Sequence, residues 1–212
     1  MKMSNRWNRF IYRLWAPIYD GTVNHAFLPG RRRALQLLDL KAGQRVLLVG
    51  VGTGADLPIL PEGVEAVGID LSEEMLAKAR SKLPLSGRSV TLIQGDAQNL
   101  LVEAGSFDAV VFNLILSVIP DGRLCLRENL RALKPLGRAV VFDKFAPESG
   151  KIAFLRRFLN FFSTLFGTEI TRRFGEMLDG NGAHIDRQEA GILRGMYQIF
   201  LLSLQNRRET QG

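Results

Sequence analysis

Thiols and imidazoles are scarce in this chain. Its one cysteine, Cys125, has no partner for an intramolecular disulfide. The surrounding pattern LCLRENLRAL predicts a buried helix position for this thiol rather than a nucleophile. The two histidines, His25 and His184, lie far apart, and no HExxH motif or Cys/His cluster accompanies them. The residues therefore predict neither a disulfide framework nor a metal centre.

A long hydrophobic run is also missing. The most apolar stretch, residues 109–120, contains Asn113 and Ser117 and is too short to cross a bilayer. The opening MKMSNRWNRF is interrupted by charges and lacks the apolar centre of a signal peptide. We therefore expect a cytoplasmic protein. The 212 residues fit a single domain, which at this length buries about 70% of the surface of the unfolded chain.

Glycine is concentrated where one apolar run ends. The run 46–49 leads directly into Gly50, Gly52 and Gly54, so a buried strand is expected to end in a tight turn. Glycine permits such a turn, and its missing side chain lets a ligand approach main-chain N–H groups at the next helix start. The segment fits the dinucleotide fingerprint GxGxxG/A, although an ordinary tight turn without a ligand fits it too.

Two aspartates follow later strands. Asp70 ends the apolar run 67–69, 20 residues after Gly50. A carboxylate there can accept hydrogen bonds from both ribose hydroxyls of a nucleoside, and a surface or helix-capping aspartate is the alternative. Asp96 follows a third run, 90–93, and could accept a hydrogen bond from the exocyclic amine of an adenine. With the glycine turn, these residues favour a nucleoside at the carboxyl edge of a parallel sheet.

This three-part spacing resembles the class I S-adenosylmethionine-dependent methyltransferases over residues 38–204. The implied fold is α/β: a doubly wound, mostly parallel seven-stranded sheet with a C-terminal antiparallel hairpin and a helical N-terminal lid. The implied cofactor is S-adenosylmethionine, with S-adenosylhomocysteine as product. The resemblance assigns Gly50, Gly52 and Gly54 to the methionine end, Asp70 to the ribose, Leu71 to one adenine face, Asp96 and Ala97 to the adenine edge, Asn113 and Leu114 to the surroundings of the methyl group, and Met75 to the same cofactor site.

Two positions depart from the family pattern. The commonest form has Asp or Glu two residues before the first glycine, where this chain has Leu48. Asp56 could hold the ammonium of the methionine moiety instead, or it could cap the short helix that follows. The turn after Lys134 commonly reads Pro-Gly-Gly. Here residues 135–137 read Pro-Leu-Gly, which loses one glycine and keeps the one before the strand.

Alternating apolar runs and helical patterns predict the order of the elements. Strands are expected at 45–49, 65–70, 90–94, 107–113 and 138–143, helices at 72–83 and 121–133, and the closing hairpin at 185–189 and 197–204. The single domain, 1–212, is divided into a lid with a basic amphipathic N-terminus (1–38), a cofactor-binding core (39–148), a substrate-side helical insertion (149–182) and the hairpin (183–205).

Positive charge is concentrated near the N-terminus. The net charge is +7, and the first 33 residues hold seven basic residues against Asp20 alone. With residues 4–16 as a helix, apolar side chains form one stripe and the arginines lie off it. The stripe consists of Trp7, Phe10, Ile11, Leu14 and Trp15. Such a helix suits peripheral contact with an anionic membrane surface, and packing as a cap over the active site is the alternative.

Residues 150–174 form a second basic segment, rich in phenylalanine. Methyltransferases of this class commonly have substrate-binding insertions after the fifth strand, so these aromatics could line an apolar channel or belong to an ordinary core. Phenylalanines on a helix are a poor surface for reading a nucleic-acid groove, and no RNA-binding signature is present. The predicted partner is therefore a small molecule or a lipid, and nucleic acid is not expected.

The segment YRLWAPIYDGTVNHAFLPGRRRAL narrows the resemblance to bacterial phospholipid (phosphatidylethanolamine) N-methyltransferases and ubiquinone/menaquinone C-methyltransferases. Both commonly have a Tyr-Asp pair at an N-terminal lid, here Tyr19-Asp20, and Tyr19 is the catalytic residue that the resemblance implies. Packing within the lid is its other role.

The phospholipid branch is favoured because a basic aromatic lid could reach a headgroup amine at the inner face of the membrane. LILSVIPD and VVFDKF are also similar to that branch. The alternatives are C- or O-methylation of a quinone or soluble small molecule, and cofactor binding without enzyme activity.

Overall fold

The structure, a computed structural model, describes residues 24–146, 172–192 and 195–204. Its elements are α1 (Asn24–Leu38), β1 (Arg45–Val49), β2 (Glu65–Asp70), α2 (Glu73–Arg80), β3 (Ser89–Gln94), β4 (Phe107–Asn113), α3 (Gly122–Leu130), β5 (Leu133–Lys144), α4 (Phe174–Leu178), β6 (Ala183–Ala190) and β7 (Tyr197–Leu204), with a short 3₁₀ helix, Leu57–Ile59, after β1. The predicted helix at 4–16, Tyr19 and most of the 149–182 insertion lie outside the described residues. None of the described helices is long and apolar enough to span a membrane.

The strands form one seven-stranded sheet in the order β3-β2-β1-β4-β5-β7-β6. The first five strands are parallel to their neighbours, whereas β7 is antiparallel to both β5 and β6. This confirms the predicted mostly parallel sheet with a closing hairpin. The strand order reverses between β1 and β4, so the loops after these strands diverge and leave a crevice at their carboxyl ends.

Both faces of β1, β2 and β4 are buried, as their near-continuous apolar sequences require, whereas the edge strands β3 and β6 are largely exposed. In β1, Val46 and Leu48 belong to the core layer that contains α1 and α2, whereas Leu47 and Val49 belong to the layer that contains α3 and α4. Cys125 is fully buried in α3, where burial raises the pKa of its thiol. The predicted buried helix position of Cys125 is therefore confirmed.

The predicted helices are shorter than their sequence patterns. The first, predicted at 72–83, begins after Ser72, whose hydroxyl accepts the Met75 N–H at 3.2 Å. The second, predicted at 121–133, begins after Asp121, whose carboxylate accepts the Leu124 N–H at 2.9 Å. Both patterns included the capping residue. At their C-terminal ends the predictions were wrong, because Pro84 disfavours helix at the preceding residue and Leu133 already pairs with β4.

Strand β5 begins five residues before its predicted start at 138, since Leu133 pairs with Phe107 and the register then shifts between Phe107 and Ala109. Leu136 lies within this irregular part. Its φ is +67°, a left-handed conformation, and its side chain is 91% exposed. Such a conformation costs a leucine about 1–2 kcal/mol. This is the position where the family pattern has a glycine.

Replacing Leu136 is therefore expected to stabilise the protein. Leu136→Gly and Leu136→Asn should raise the free energy of unfolding by up to about 1 kcal/mol, because both residues tolerate a left-handed backbone. Urea unfolding measures the change. Leu101 is equally exposed at 91% and has no positive φ, so Leu101→Gly is the matched control and should not stabilise. Equal responses of Leu136→Gly and Leu101→Gly would contradict the strain at Leu136.

Candidate functional site

A cleft with about 940 Å³ of empty space, counting its open mouth, lies at the carboxyl ends of the parallel strands. Residues after β1, β2, β3 and β4 line it together. Of the residues predicted to bind cofactor, those that line the cleft are Gly50, Gly52, Asp70, Leu71, Met75, Asp96, Ala97, Asn113 and Leu114. The structure therefore brings together four segments that are far apart in the sequence.

The glycines of the first turn differ in what they do. Gly52 has a φ of +55°, and a Cβ there would meet nothing closer than 4.0 Å, so this position faces open space in the cleft. A Cβ at Gly50 would lie 2.6 Å from Cδ1 of Ile115. A Cβ at Gly54 would lie 3.1 Å from Cβ of Ala79. Gly54 therefore permits close packing against α2 and is not part of the cleft lining.

Asp70 connects the ends of two strands. Its Oδ2 accepts the Gly52 N–H at 2.8 Å, and its Oδ1 accepts the Ser72 N–H at 2.9 Å. Burial raises the pKa of this carboxyl group, and the backbone hydrogen bonds partly oppose that shift. Each carboxylate oxygen has a second lone pair. Asp70 can therefore hold the turn after β1 and still accept a hydroxyl from a ligand.

The turn after β3 is held against α3. Asp96 Oδ1 accepts the Gln98 N–H at 2.9 Å, and the Gln98 amide oxygen accepts the Asp121 N–H at 2.8 Å. The buried Asn129 amide donates to the Ala97 carbonyl at 2.8 Å. These bonds fix the positions of Asp96 and Ala97 relative to the helix that follows β4.

Asp56 lies behind the cleft, in a buried polar network. Its Oδ2 accepts from Nη1 of Arg31 at 2.7 Å, and its Oδ1 accepts from Nδ2 of Asn113 at 2.9 Å. Its side chain makes no capping hydrogen bond to the 3₁₀ helix that follows, so the capping alternative is not what the structure contains. Removing one member of a buried ion pair costs about 3–5 kcal/mol. The network therefore fastens α1 to the ends of β1 and β4.

Arg31 is a charged lining residue that the sequence interpretation missed, because it was counted with the basic excess of the N-terminus. Its side chain is buried, at 7% exposure, and lines the cleft. The spacing of apolar residues along the helix could have revealed this position. Ala34, Leu35 and Leu38 follow Arg31 at i+3, i+4 and i+7, and all three are buried. Arg31 therefore lies on the inner face of α1.

Two buried atoms of this network lack a hydrogen-bond partner among the described residues: Nε of Arg31 and Oδ1 of Asn113. An unpaired buried polar group costs about 1–3 kcal/mol, so such atoms are uncommon in folded proteins. Both residues line the cleft. One unpaired donor and one unpaired acceptor at this place fit a polar ligand with groups of both kinds, as the amino-acid end of S-adenosylmethionine has.

The loop after β4 forms an apolar wall of the cleft with Ile115, Val118 and Ile119. Leu114 begins it with a φ of +62°, and its N–H donates to the Phe142 carbonyl at 2.8 Å. Backbone strain of this kind is concentrated at functional sites.

The buried Asp143 carboxylate fixes the far side of the same loop. It accepts the Ser117 N–H at 2.9 Å and the Lys144 N–H at 2.8 Å. Burial raises the pKa of Asp143. The two ends of the loop are therefore both attached to the end of β5. Within the described residues, no three His, Cys, Asp or Glu side chains are grouped as a metal site requires.

Comparison with known proteins supports one family. Residues 47–141 match the family model described as a methyltransferase domain. A phosphatidylethanolamine N-methyltransferase of Cereibacter sphaeroides is 36% identical over 158 residues, 74% of this chain and 77% of that protein. A demethylmenaquinone methyltransferase of Thermus thermophilus is 37% identical over 150 residues, 67% of this chain and 68% of that protein.

Solved structures share the fold. A chain from the complex between a methyltransferase activator and a methyltransferase of Haloferax volcanii has a TM-score of 0.76 at 19% identity, covering 94% of this chain and 98% of that one. An S-adenosylmethionine-dependent methyltransferase of Thermotoga maritima has a TM-score of 0.67 at 19% identity, covering 92% of this chain and 99% of that one.

A pair of glycines tests whether the cleft binds the nucleoside. Gly52 and Gly43 both have positive φ, +55° and +84°, and a Cβ at Gly43 would meet nothing within 4 Å. Alanine at either position should lower the free energy of unfolding by about 1 kcal/mol. Only Gly52→Ala should weaken binding of S-adenosylhomocysteine, by tenfold or more in calorimetry, because only its methyl group occupies the cleft. Equal affinities of the two variants would contradict a ligand at this turn.

Proposed function

This chain belongs to the S-adenosylmethionine-dependent methyltransferases, and we propose that it N-methylates the headgroup amine of a phospholipid, phosphatidylethanolamine, at a membrane surface. The observation that carries the proposal is the similarity to a phosphatidylethanolamine N-methyltransferase along 158 residues. Two features of the sequence agree with a lipid acceptor: the basic aromatic N-terminus and the phenylalanine-rich segment at 150–174. Such segments suit an acceptor that is taken from an anionic membrane surface.

We assign the nucleoside of the cofactor to the cleft residues that follow β1, β2 and β3. Asp70 would accept the ribose hydroxyls, and Asp96 would accept the adenine amine. The main chain at Gly50 and Gly52 would lie against the methionine end of the ligand, and Gly52 has no side chain in the way. Leu71 would then pack on the adenine face, with Ala97 at the adenine edge.

S-adenosylmethionine would supply a methyl group that is bonded to a sulfonium sulfur. The lone pair of the amine nitrogen forms the new bond to this methyl group, and the sulfur keeps the electrons of the S–C bond that breaks. The protein's part is to align the acceptor and to exclude water. The strained Leu114 and the apolar wall of Ile115, Val118 and Ile119 suit this task. They form the side of the cleft at the end of β4, where the methyl group is expected.

The titratable side chains among the described lining residues are Arg31, Asp70 and Asp96. Arg31 is paired with Asp56, and the two aspartates are assigned to the nucleoside. None of the three is therefore assigned to the acceptor's proton. A neutral amine loses its proton only after the new bond has formed, so its methylation needs a weaker base than the methylation of a quinol does. Tyr19 remains the residue predicted for the acceptor side.

Methylation of a quinone ring carbon is the second candidate, favoured by the similarity to a demethylmenaquinone methyltransferase at 37% identity. That reaction forms a carbon–carbon bond. Loss of a hydroxyl proton from the reduced ring makes a ring carbon nucleophilic, this carbon takes the methyl group, and its own hydrogen then leaves as a proton. It predicts label in the quinone and none in the lipid amine.

The test is transfer of radiolabel from S-adenosylmethionine to liposomes that contain phosphatidylethanolamine, with reduced demethylmenaquinone in a parallel reaction. The wild type should label the lipid headgroup, and Asp70→Asn should lose most of that activity. Asp39→Asn is the matched control, since Asp39 is exposed and not part of the cleft lining, and it should retain full activity. Label in the quinone alone, or in neither acceptor while cofactor binding is intact, would overturn the phospholipid proposal.

The raised pKa of Asp70 gives a pH dependence. The ionised carboxylate accepts more hydrogen bonds than the protonated one, so cofactor binding favours the ionised form. Affinity for S-adenosylhomocysteine should therefore fall on acidification, beginning at a pH above the ordinary aspartate pKa of about 3.9. Calorimetry from neutral to mildly acidic pH measures the fall. Asp70→Asn should bind S-adenosylhomocysteine weakly, and its affinity should not change over this pH range. A change in affinity that persists in this variant would mean that another group titrates.

A further inference from the structure

Three buried polar side chains from separate parts of the chain meet beside the cleft. Arg31 comes from α1, Asp56 follows the glycine turn, and Asn113 ends β4; they are 7%, 3% and 4% exposed. Asp56 accepts from Arg31 at 2.7 Å and from Asn113 at 2.9 Å. Only Arg31 and Asn113 also line the cleft. The carboxylate therefore lies behind the two side chains that a ligand can touch.

The chemistry of Asp56 fixes how its partners are oriented. An ionised carboxylate only accepts hydrogen bonds, so the Asn113 amide must direct Nδ2 toward it and Oδ1 elsewhere. In the same way, Arg31 uses Nη1 for Asp56 and leaves Nε for another partner. These are the two buried atoms that have no partner among the described residues. The network thus leaves one strong donor and one acceptor unpaired, on the two of its residues that line the cleft.

This pair of groups complements an α-amino acid. A guanidinium N–H is a favourable partner for a carboxylate, and an amide oxygen accepts from an ammonium. Arg31 and Asp56 together carry no net charge, which suits a zwitterion better than a single ion. Leu48, at the position where the family commonly has an acid, is 1% exposed and belongs to the apolar core. The polar contact is therefore absent there and must come from other residues.

We propose that Arg31 and Asn113 bind the amino-acid end of S-adenosylmethionine, with Arg31 Nε donating to the α-carboxylate and Asn113 Oδ1 accepting from the α-ammonium. Asp56 is the positioning residue that orients both, rather than the residue that contacts the ammonium. The inference rests on the proposed assignment of the nucleoside to the same cleft. In this chain, Arg31 and Asn113 would make the contact that the family commonly makes through an acidic residue at the position of Leu48.

The test compares two ligands by calorimetry. S-adenosylhomocysteine contains the amino-acid end, whereas 5′-methylthioadenosine has the same nucleoside and a thioether without it. Arg31→Lys keeps a cation near Asp56 but removes Nε, and Asn113→Leu removes the amide oxygen together with the Nδ2 hydrogen bond to Asp56. Each variant should weaken binding of S-adenosylhomocysteine by about tenfold or more and leave that of 5′-methylthioadenosine within about twofold. Asp56→Ala should have the same selective effect, because it removes both oxygens that accept from Arg31 and Asn113.

The controls separate this inference from folding and from the proposed function. Arg33, close by on α1, pairs with Glu189 at 2.6 Å and does not line the cleft, so Arg33→Lys should change neither affinity. Asp70→Asn should weaken both ligands. Parallel loss of both ligands in Arg31→Lys and Asn113→Leu would overturn the inference, since it indicates a structural role only, and so would unchanged affinities. If wild type fails to bind 5′-methylthioadenosine, the nucleoside assignment fails, and the inference fails with it.

Discussion

Parallel pairing of the first five strands is the constraint on which the rest of the site depends. Because β1, β2, β3 and β4 run in one direction, their carboxyl ends lie at one edge of the sheet, and Val49 is paired with both Ile69 and Phe112. The loops that begin at residues 50, 71, 95 and 114 therefore meet, although more than 60 residues separate the first from the last. The reversal of strand order beside β1 directs the loops after β1 and β4 to opposite faces of the sheet, which leaves room for a ligand between them.

Structural features that depend only on residues adjacent in the sequence, such as the ends of several strands, were predictable. Apolar runs that end at Gly50, Asp70 and Asn113 predicted the bounds of β1, β2 and β4 as the structure has them. Gly50, Asp70 and Asp96, which the sequence predicted to lie at one edge of the sheet, line the same cleft. The early start of β5 was not predictable in this way. It depends on the pairing of Leu133 with Phe107 and on the register shift that follows, and no local pattern in Leu133–Arg138 encodes the partner strand.

The pairing of Arg31 with Asp56 was not predictable from the sequence either, because it too depends on contacts between residues that are far apart in the chain. In the sequence, Arg31 belongs to a run of three arginines, and Asp56 lies just past the glycines, so each has a plausible local role. Their pairing depends on how α1 packs on the sheet, where Phe142 leaves no space for a Cβ at Gly30. This close approach brings the inner face of α1, and with it Arg31, to the end of β1. A buried charge needs a partner, and Asp56 provides it.

Sequence identity alone distinguishes the two candidate acceptors poorly, because the cofactor and the acceptor are expected to bind to different parts of the chain. The matched family model covers residues 47–141, which is the part that holds the glycine turn, Asp70, Asp96 and Asn113. Enzymes that share a cofactor share these constraints, so a lipid methyltransferase and a quinone methyltransferase are each 36–37% identical to this chain. Acceptor choice is then expected to depend on residues before β1 and after β5. Those are the regions where this sequence concentrates arginine and phenylalanine, side chains that suit a surface at which an anionic headgroup meets an apolar tail.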